Sequence, residues 1–293
     1  MEIRVLEYFL TVAREGTITG AAQALHITQP TLSRQLSDLE KELGKTLLIR
    51  GKRQISLTRD GMIFRKRAEE ILEMVRKTEA EVRQNDNEIA GNIYIGTAET
   101  EAIRNIAHIA MKLQEEYPLI KFNFISGDSE DVLEKLDHGL YDFCIICGNA
   151  DEKKYQYHTI PHIDTMGVLM KKDSPLAKLK EIPISKLYEL PLIVSRQQEE
   201  SGYLSNIMNK SLDDLNIVAK YNLLYNASLM VSEDMGYALC LGRIIEEGIN
   251  HDLVFIPLAG NIKIPTNIIW KKYQIFSKES ELFLKQIKQD LTN

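Results

Sequence analysis

The chain has 293 residues, of which 44% are hydrophobic and 27% charged; its formal net charge is −6 and its pI about 5.7. That balance is ordinary for a folded globular protein, and the length suffices for two or three domains with sizeable cores. Three cysteines exclude a disulfide framework and the lack of an apolar run of about 18 residues excludes a membrane span; with Glu2, Arg4 and Glu7 interrupting any leader-like stretch, a cytoplasmic protein is expected.

Residues 3–14 predict a first helix with Leu6, Phe9, Leu10 and Ala13 turned inward. Gly20-Ala21-Ala22-Gln23-Ala24-Leu25 reads as a short second helix whose small residues let another helix pack closely. His26-Ile27-Thr28 is a turn. Thr28 is a good N-cap, and Pro30 falls in the first turn of the next helix, where its missing N–H is harmless. Leu32, Leu36, Leu39 and Leu43 recur at spacings of 4, 3 and 4, which predicts one buried stripe. Pro30, Ser33, Arg34, Ser37 and Lys41 face away from that stripe, with Thr31 beside them and Gln29 at the helix start. Short hydroxyls, Gln and Arg on the second helix of such a pair suit base-edge and phosphate contacts in a major groove. Thr28, Gln29, Pro30, Thr31, Ser33, Arg34 and Ser37 are therefore candidate DNA-binding residues.

Leu47-Leu48-Ile49 and Ile55-Ser56-Leu57 are strand candidates around Arg50-Gly51-Lys52-Arg53-Gln54. Arg50, Lys52 and Arg53 on the hairpin tip suit a grip on the nucleic-acid backbone beside the groove. Residues 29–59 carry seven Lys/Arg against three Asp/Glu, a net of +4, whereas residues 89–293 carry 21 against 28, a net of −7. The overall acidity thus hides a basic tip on an acidic body. Residues 59–87 are charged and free of proline, with Phe64, Ala68, Ile71, Val75, Thr78 and Val82 at spacings of 4, 3, 4, 3 and 4. This heptad-like seam, on a helix of roughly 43 Å at 1.5 Å per residue, suits a partner helix from a second chain.

Beyond Asn85-Asp86-Asn87 the pattern changes. Strands are expected at 92–97, 120–125 and 141–148, with helices at 100–116 and 129–138 between them. A second set follows: strands 165–171 and 191–195, helix 202–210, strand 216–221, helix 227–234, and strand 253–257. Strand 264–271 and helix 278–291 close the chain. Alternating β and α segments argue a parallel sheet with helices on both faces.

Leu6-Glu7-Tyr8-Phe9, Ala21-Ala22-Gln23-Ala24-Leu25, Thr28-Gln29-Pro30-Thr31-Leu32-Ser33-Arg34-Gln35, Leu39-Glu40-Lys41-Glu42-Leu43-Gly44 and Leu57-Thr58-Arg59-Asp60-Gly61 together resemble the DNA-binding signature of the LysR-type transcriptional regulators. The match is dense and ungapped over about sixty residues. The chain departs from the family in the wing, where Leu48-Ile49 stands in place of the usual Phe-Glu and the tip around Gly51 differs. The resemblance implies an α+α/β protein: an N-terminal winged helix-turn-helix over 1–58, a long linker (dimerisation) helix over 59–88, and a two-lobed α/β periplasmic-binding-protein-like effector domain over 89–293. Its lobe I would comprise 89–161 and 267–293, and its lobe II 162–266. It also implies double-stranded DNA bearing an interrupted palindrome, a small-molecule effector between the lobes, a homodimer or homotetramer, and RNA polymerase as a further partner.

Ligands of open α/β sheets bind outside the carboxyl ends of the strands. Four places qualify: Thr97, Glu99 and Thr100 after the first strand; Gly127, Asp128 and Ser129 after the second; Ser195, Arg196 and Gln197 after a strand of the second lobe; and Asn226 and Ser228 opening a helix there. Free N–H groups at helix starts suit an anion, and Thr100, Asp128 and Ser228 are also ordinary N-cap residues. Glu99 and Glu101 oppose an anion if both point into the cleft, with Arg104 close enough to neutralise Glu101 and Arg196 placed to face the cleft from the other lobe. A neutral or zwitterionic effector is therefore expected.

Other chemistry finds little support. Cys144 and Cys147 match C-x-x-C, but on a strand residues three apart point to opposite faces, so no local disulfide or metal site is expected. The six histidines are scattered, and no nucleophile–base order, metal-ligand cluster or phosphate loop stands out; no catalytic residue, metal or cofactor is assigned. A solute-binding transport component would leave residues 1–60 unexplained. A thiol-based redox-responsive regulator on the same DNA-binding scaffold is the alternative, and it requires an exposed, electropositive cysteine.

Overall fold

A computed structural model of the chain describes residues 1–51, 54–82, 89–197, 215–245 and 252–292. They fall into two compact units that divide between residues 83 and 84. Among the described residues no helix is long and apolar enough to cross a membrane.

In the first unit, α1 (Ile3–Glu15), α2 (Ile18–Ala24) and α3 (Gln29–Leu43) precede the strands β1 (Leu48–Arg50) and β2 (Ile55–Leu57) and the long helix α4 (Arg59–Val82). The Thr17 hydroxyl accepts from the Gly20 amide at 3.0 Å, so α2 starts earlier than its small-residue run suggests. His26, at φ 54°, turns the chain between α2 and α3. The Thr28 side chain then caps α3, accepting from the Thr31 amide, and Gly44 ends the helix at φ 63°. Phe9, Val12, Ala21, Ala22, Leu32, Leu36 and Leu39 close the core together with Leu47 and Leu48 of the wing. Leu43 does not complete the expected stripe: it is the last residue of α3 and 39% exposed.

Two polar groups fix the wing. The Glu40 carboxylate accepts from the amides of Leu47 and Leu48 at 2.7 and 3.0 Å, tying the first strand to α3. The Thr58 hydroxyl donates to the Thr46 carbonyl at 2.7 Å and accepts from the Gly61 amide at 2.9 Å, starting α4. Along α4 the expected seam divides. Phe64 and Ala68, joined by Leu72, pack against Leu6 and Leu10 of α1, whereas Ile71 and Val82 are exposed at 41% and 79%. Residues 83–88, the expected end of this linker, lie outside the described residues, as do Lys52 and Arg53 at the wing tip.

The second unit is built on one twisted nine-stranded sheet with helices packed on it. β3 (Gly91–Thr97), α5 (Ile103–Glu116), β4 (Ile120–Ser126), α6 (Ser129–Asp137) and β5 (Phe143–Cys147) form a parallel set around Ile93, Ile95, Ile106, Ile109, Phe143 and Phe283. The chain then runs into β6 (Tyr155–Lys171), a single 17-residue strand. β7 (Leu192–Ser195), β8 (Ile217–Tyr221), α7 (Leu224–Ser232), β9 (Tyr237–Leu241) and β10 (Leu253–Pro257) build a second lobe around Met166, Val168, Leu192, Val194 and Leu239. β11 (Lys263–Lys271) returns antiparallel to β6, pairing from Tyr155↔Lys271 to Thr165↔Lys263, with a register shift between Pro265 and Asn267. Helix α8 (Lys278–Thr292) closes the first lobe.

Several expectations shift here. Strand 165–171 is only the second half of β6; its first half carries alternating polar residues and Pro161, which disguise it. β9 was not expected as a strand. α5 starts at Ile103, three residues later than expected, and α7 starts at Leu224, three residues earlier. The expected helix 202–210 lies outside the described residues.

Gly61 sits where a Cβ would lie 2.1 Å from the Leu47 carbonyl oxygen, a backbone atom with nowhere to move. Gly61→Ala is expected to cost the N-terminal unit about 1–3 kcal/mol, read as a lowered melting transition by calorimetry. An unchanged transition would mean that wing and helix do not meet at this point.

Candidate functional site

The N-terminal unit presents the candidate nucleic-acid face. Thr28, Gln29, Pro30, Thr31 and Arg34 are exposed along the first turns of α3, and Ser33 and Ser37 are half-buried behind them. The Thr28 and Thr31 hydroxyls pair at 2.8 Å, so the helix start is held by its own hydroxyls. Arg34 is 84% exposed, its Nε 3.8 Å from Asp38 one turn on; an exposed pair at that distance is weak and leaves the guanidinium available to an anion. Arg50 leaves β1 with its guanidinium 3.8 Å from Glu40.

In the second unit, a cavity of about 330 Å³ lies at the carboxyl ends of the strands, between the lobes. Six of the expected residues line it: Glu99, Gly127, Asp128, Ser129, Ser195 and Gln197. Its apolar walls include Leu133, Ile146, Met166, Leu241, Ile244 and Ile264. Three polar contacts join the lobes beside it. The Glu99 carboxylate accepts from the Leu224 amide at the start of α7. The Arg196 guanidinium donates to Asp128, with Asp131 3.6 Å away. Arg243 approaches Glu101 at 3.6 Å, and Arg104 lies 3.4 Å from the same carboxylate. Burial pushes the Glu99 carboxyl above its ordinary pKa, opposed by the amide it accepts from. Burial, then the negative charge of Asp128, raises Asp131, with Arg196 opposing.

Several of the expected residues have structural work, in or out of the lining. Asp128 caps α6 as expected, accepting from the Asp131 amide at 3.0 Å. Thr97 is buried and donates to the Ala98 carbonyl at 2.8 Å. Thr100 does not cap α5; its hydroxyl donates to Asp164 at 2.7 Å and accepts from the Ala102 amide at 3.1 Å. Ser228 is not an N-cap either: it lies inside α7 and donates to the Tyr225 carbonyl at 2.7 Å, while Asn226 faces outward on the same helix. Neither belongs to the cavity lining.

Cys147, Gly148, Asn149, Tyr221 and Asn222 line the cavity and were not anticipated. They stand at the carboxyl ends of β5 and β8, so the strand-end rule, applied to every strand, would have found them. Asp164 was missed as well. Its carboxylate is 1% exposed and accepts from Thr100, from Thr266 at 2.8 Å, and from His162, whose Nε2 lies 3.2 Å away.

The cysteines behave as the strand geometry predicts. Cys144 points into the first lobe and its thiol donates to the Val132 carbonyl at 3.3 Å, while Cys147 points to the cavity side near Thr266. Burial raises both pKa values, that of Cys147 to about 12. Cys240 is buried in β9.

Residues 3–62 match the family described as bacterial regulatory helix-turn-helix proteins of the lysR family, and residues 86–292 match the LysR substrate binding domain. The transcriptional regulator BsdA of Bacillus subtilis (strain 168) is 33% identical over 211 residues, 72% of each chain. OxyR of Escherichia coli (strain K12), a dual transcriptional regulator, is 30% identical over 178 residues, 60% of this chain and 58% of OxyR. In three dimensions the chain is similar to CbnR, a LysR family regulator, with a TM-score of 0.76 at 18% identity over the whole of both chains. It superposes equally well on CbnR in complex with its target DNA, at a TM-score of 0.75 and 19% identity over 99% of this chain and 100% of that one.

Raised thiol pKa values leave almost no thiolate at neutral pH, and the thiolate is the reactive form. The native protein is therefore expected to show negligible fast reaction with a disulfide reagent at pH 7.5, with all three thiols released only on denaturation. One equivalent of fast-reacting thiol would revive a redox role.

Proposed function

The chain belongs to the LysR family, and on that premise we propose how a DNA-binding transcriptional regulator with a substrate-binding domain divides the work among its residues. The recognition surface is the exposed start of α3: Gln29, Pro30, Thr31, Ser33 and Arg34 read bases or fix register, with Thr28 and Ser37 beside them. Arg50, Lys52 and Arg53 hold the phosphate backbone. Residues 1–58 form this head, 59–88 the linker and 89–293 the sensor. The exposed Ile71 and Val82 on α4 support pairing with the same helix of a second copy, so that two heads meet successive major grooves of an interrupted palindrome. Dimer or tetramer, the assembly works in the cytoplasm without catalysing a reaction.

The observation that carries the sensor reading is the cavity between the lobes, bordered by groups from both: Glu99 and Asp128 from one, Ser195 and Gln197 from the other. A small molecule held there shifts the angle between the lobes, and the linker helices carry the shift to the spacing of the heads. The redox alternative has the OxyR likeness in its favour, but the burial of Cys144 and Cys240 and the raised pKa values of Cys144 and Cys147 oppose it.

Fluorescence anisotropy with DNA from just upstream of the protein's own gene, against scrambled DNA at near-physiological salt, tests the division of labour. Arg34→Ala is expected to cost about 1–3 kcal/mol at the specific site and little elsewhere. Arg53→Ala should weaken both DNAs equally and reduce the salt slope by about 1. Equal losses for both variants on all sequences would overturn it.

A further inference from the structure

The cavity between the lobes has an unusual charge inventory. Its charged lining residues, among the described ones, are two carboxylates, Glu99 and Asp128, and no Lys, Arg or His. Arg196, next to the lining residue Ser195, donates to Asp128, with Asp131 3.6 Å away. Asp128 is spent as well: one oxygen accepts from Arg196 and the other from the Asp131 amide at 3.0 Å. The starts of the nine-residue helices α6 and α7 are anion-attracting backbone groups at the rim. The protein fills both itself: Asp128 caps α6 and Glu99 accepts from the Leu224 amide.

Glu99 bonds the Leu224 amide through one oxygen and faces the cavity with the other. The Ser129 hydroxyl is buried beside Asp128 without a hydrogen-bond partner, and Asn149, Ser195 and Gln197 complete the polar lining. Around them the walls are aliphatic.

Resting on the reading of this cavity as the effector site, we infer that Glu99 occupies the anion seat of the cleft and that the effector is a small apolar molecule bearing a protonated amine, not a carboxylate. The ammonium sits against the cavity-facing oxygen of Glu99, donates to it, and leaves the apolar body among Leu133, Met166 and Ile264. A carboxylate entering the same space would meet Glu99 head on and find the helix end taken. Burial raises the Glu99 pKa, and an ammonium beside the carboxylate opposes that shift.

The test compares matched pairs on the full-length protein: benzylamine with benzoate, and cyclohexylamine with cyclohexanecarboxylate, read by thermal shift and by anisotropy with promoter DNA. The amines are expected to stabilise the wild type and the carboxylates not. Glu99→Gln keeps an acceptor for the Leu224 amide and removes the charge; it should weaken amine binding about tenfold or more, the weight of one charge-assisted hydrogen bond. Glu99→Ala vacates the helix end and should gain stabilisation by acetate and benzoate that the wild type lacks. A wild-type response to carboxylates alone, or to neither series, overturns the assignment, as does acetate stabilising the wild type as much as Glu99→Ala. Ser195→Trp, which fills the cavity, separates this from the effector-site reading. Loss of every ligand response with promoter binding intact supports the cleft as the site, whereas a response that survives the tryptophan overturns the cleft itself.

Discussion

A carboxylate withdrawn from water must find a donor for each oxygen or pay several kcal/mol. Asp164 meets that demand at the point where β6 and β11 pass between the lobes. It takes one hydroxyl from Thr266 on the facing strand and one from Thr100 in the loop after β3, with His162 on its other oxygen. Each hydrogen bond to a charged group contributes about 1.5–3 kcal/mol, so β6, β11 and the 98–102 loop are locked as one piece. That loop carries Glu99 and Glu101, and the lock therefore determines where the two carboxylates meet the second lobe. Pairing between the crossover strands breaks register between Pro265 and Asn267, beside Asp164's partner Thr266; side-chain bonds hold the strands together where the ladder is interrupted.

The polar contacts across the cleft share one chemical theme. Arg196 reaches Asp128, Arg243 reaches Glu101, and the start of α7 reaches Glu99. In each, the first lobe supplies a carboxylate and the second a positive group. The arrangement closes the lobes by attraction alone, and desolvation of the carboxylates opposes it, as the raised Glu99 and Asp131 pKa values record. Attraction and desolvation thus oppose each other at every one of these contacts.

Much of this was legible beforehand, for physical reasons that differ by region. The N-terminal unit follows from local rules: Thr28 and Pro30 announce α3, and the leucine spacing announces its buried face. Leu43 escaped because a helix end frays out of the core whatever the spacing says. The alternation of the second unit was equally plain, yet the first half of β6 was not. Tyr155 to Ile163 alternates aromatic, polar and apolar residues around Pro161, because that stretch is a connecting strand rather than a core one. More than half of the cavity lining lay beyond the four places named: Cys147, Tyr221 and Asn222 stand at strand ends to which the rule was not applied, and aliphatic wall residues such as Met166 and Ile264 reach the cavity only through the sheet order, a long-range fact. Asp164 carries no local sequence signal; its two threonine partners, 64 and 102 residues distant, mark it as buried.

Among the described residues the chain crosses between the lobes on two antiparallel strands, β6 and β11, hydrogen-bonded to each other. A ribbon of that kind is stiff to stretching and to shear along its ladder, and soft mainly to twisting and bending about its own line. On the proposed reading of the cleft as the effector site, any ligand acts through this one ribbon, and what it passes on is the angle it leaves between the lobes. Such a sensor is an analogue dial with a single scale.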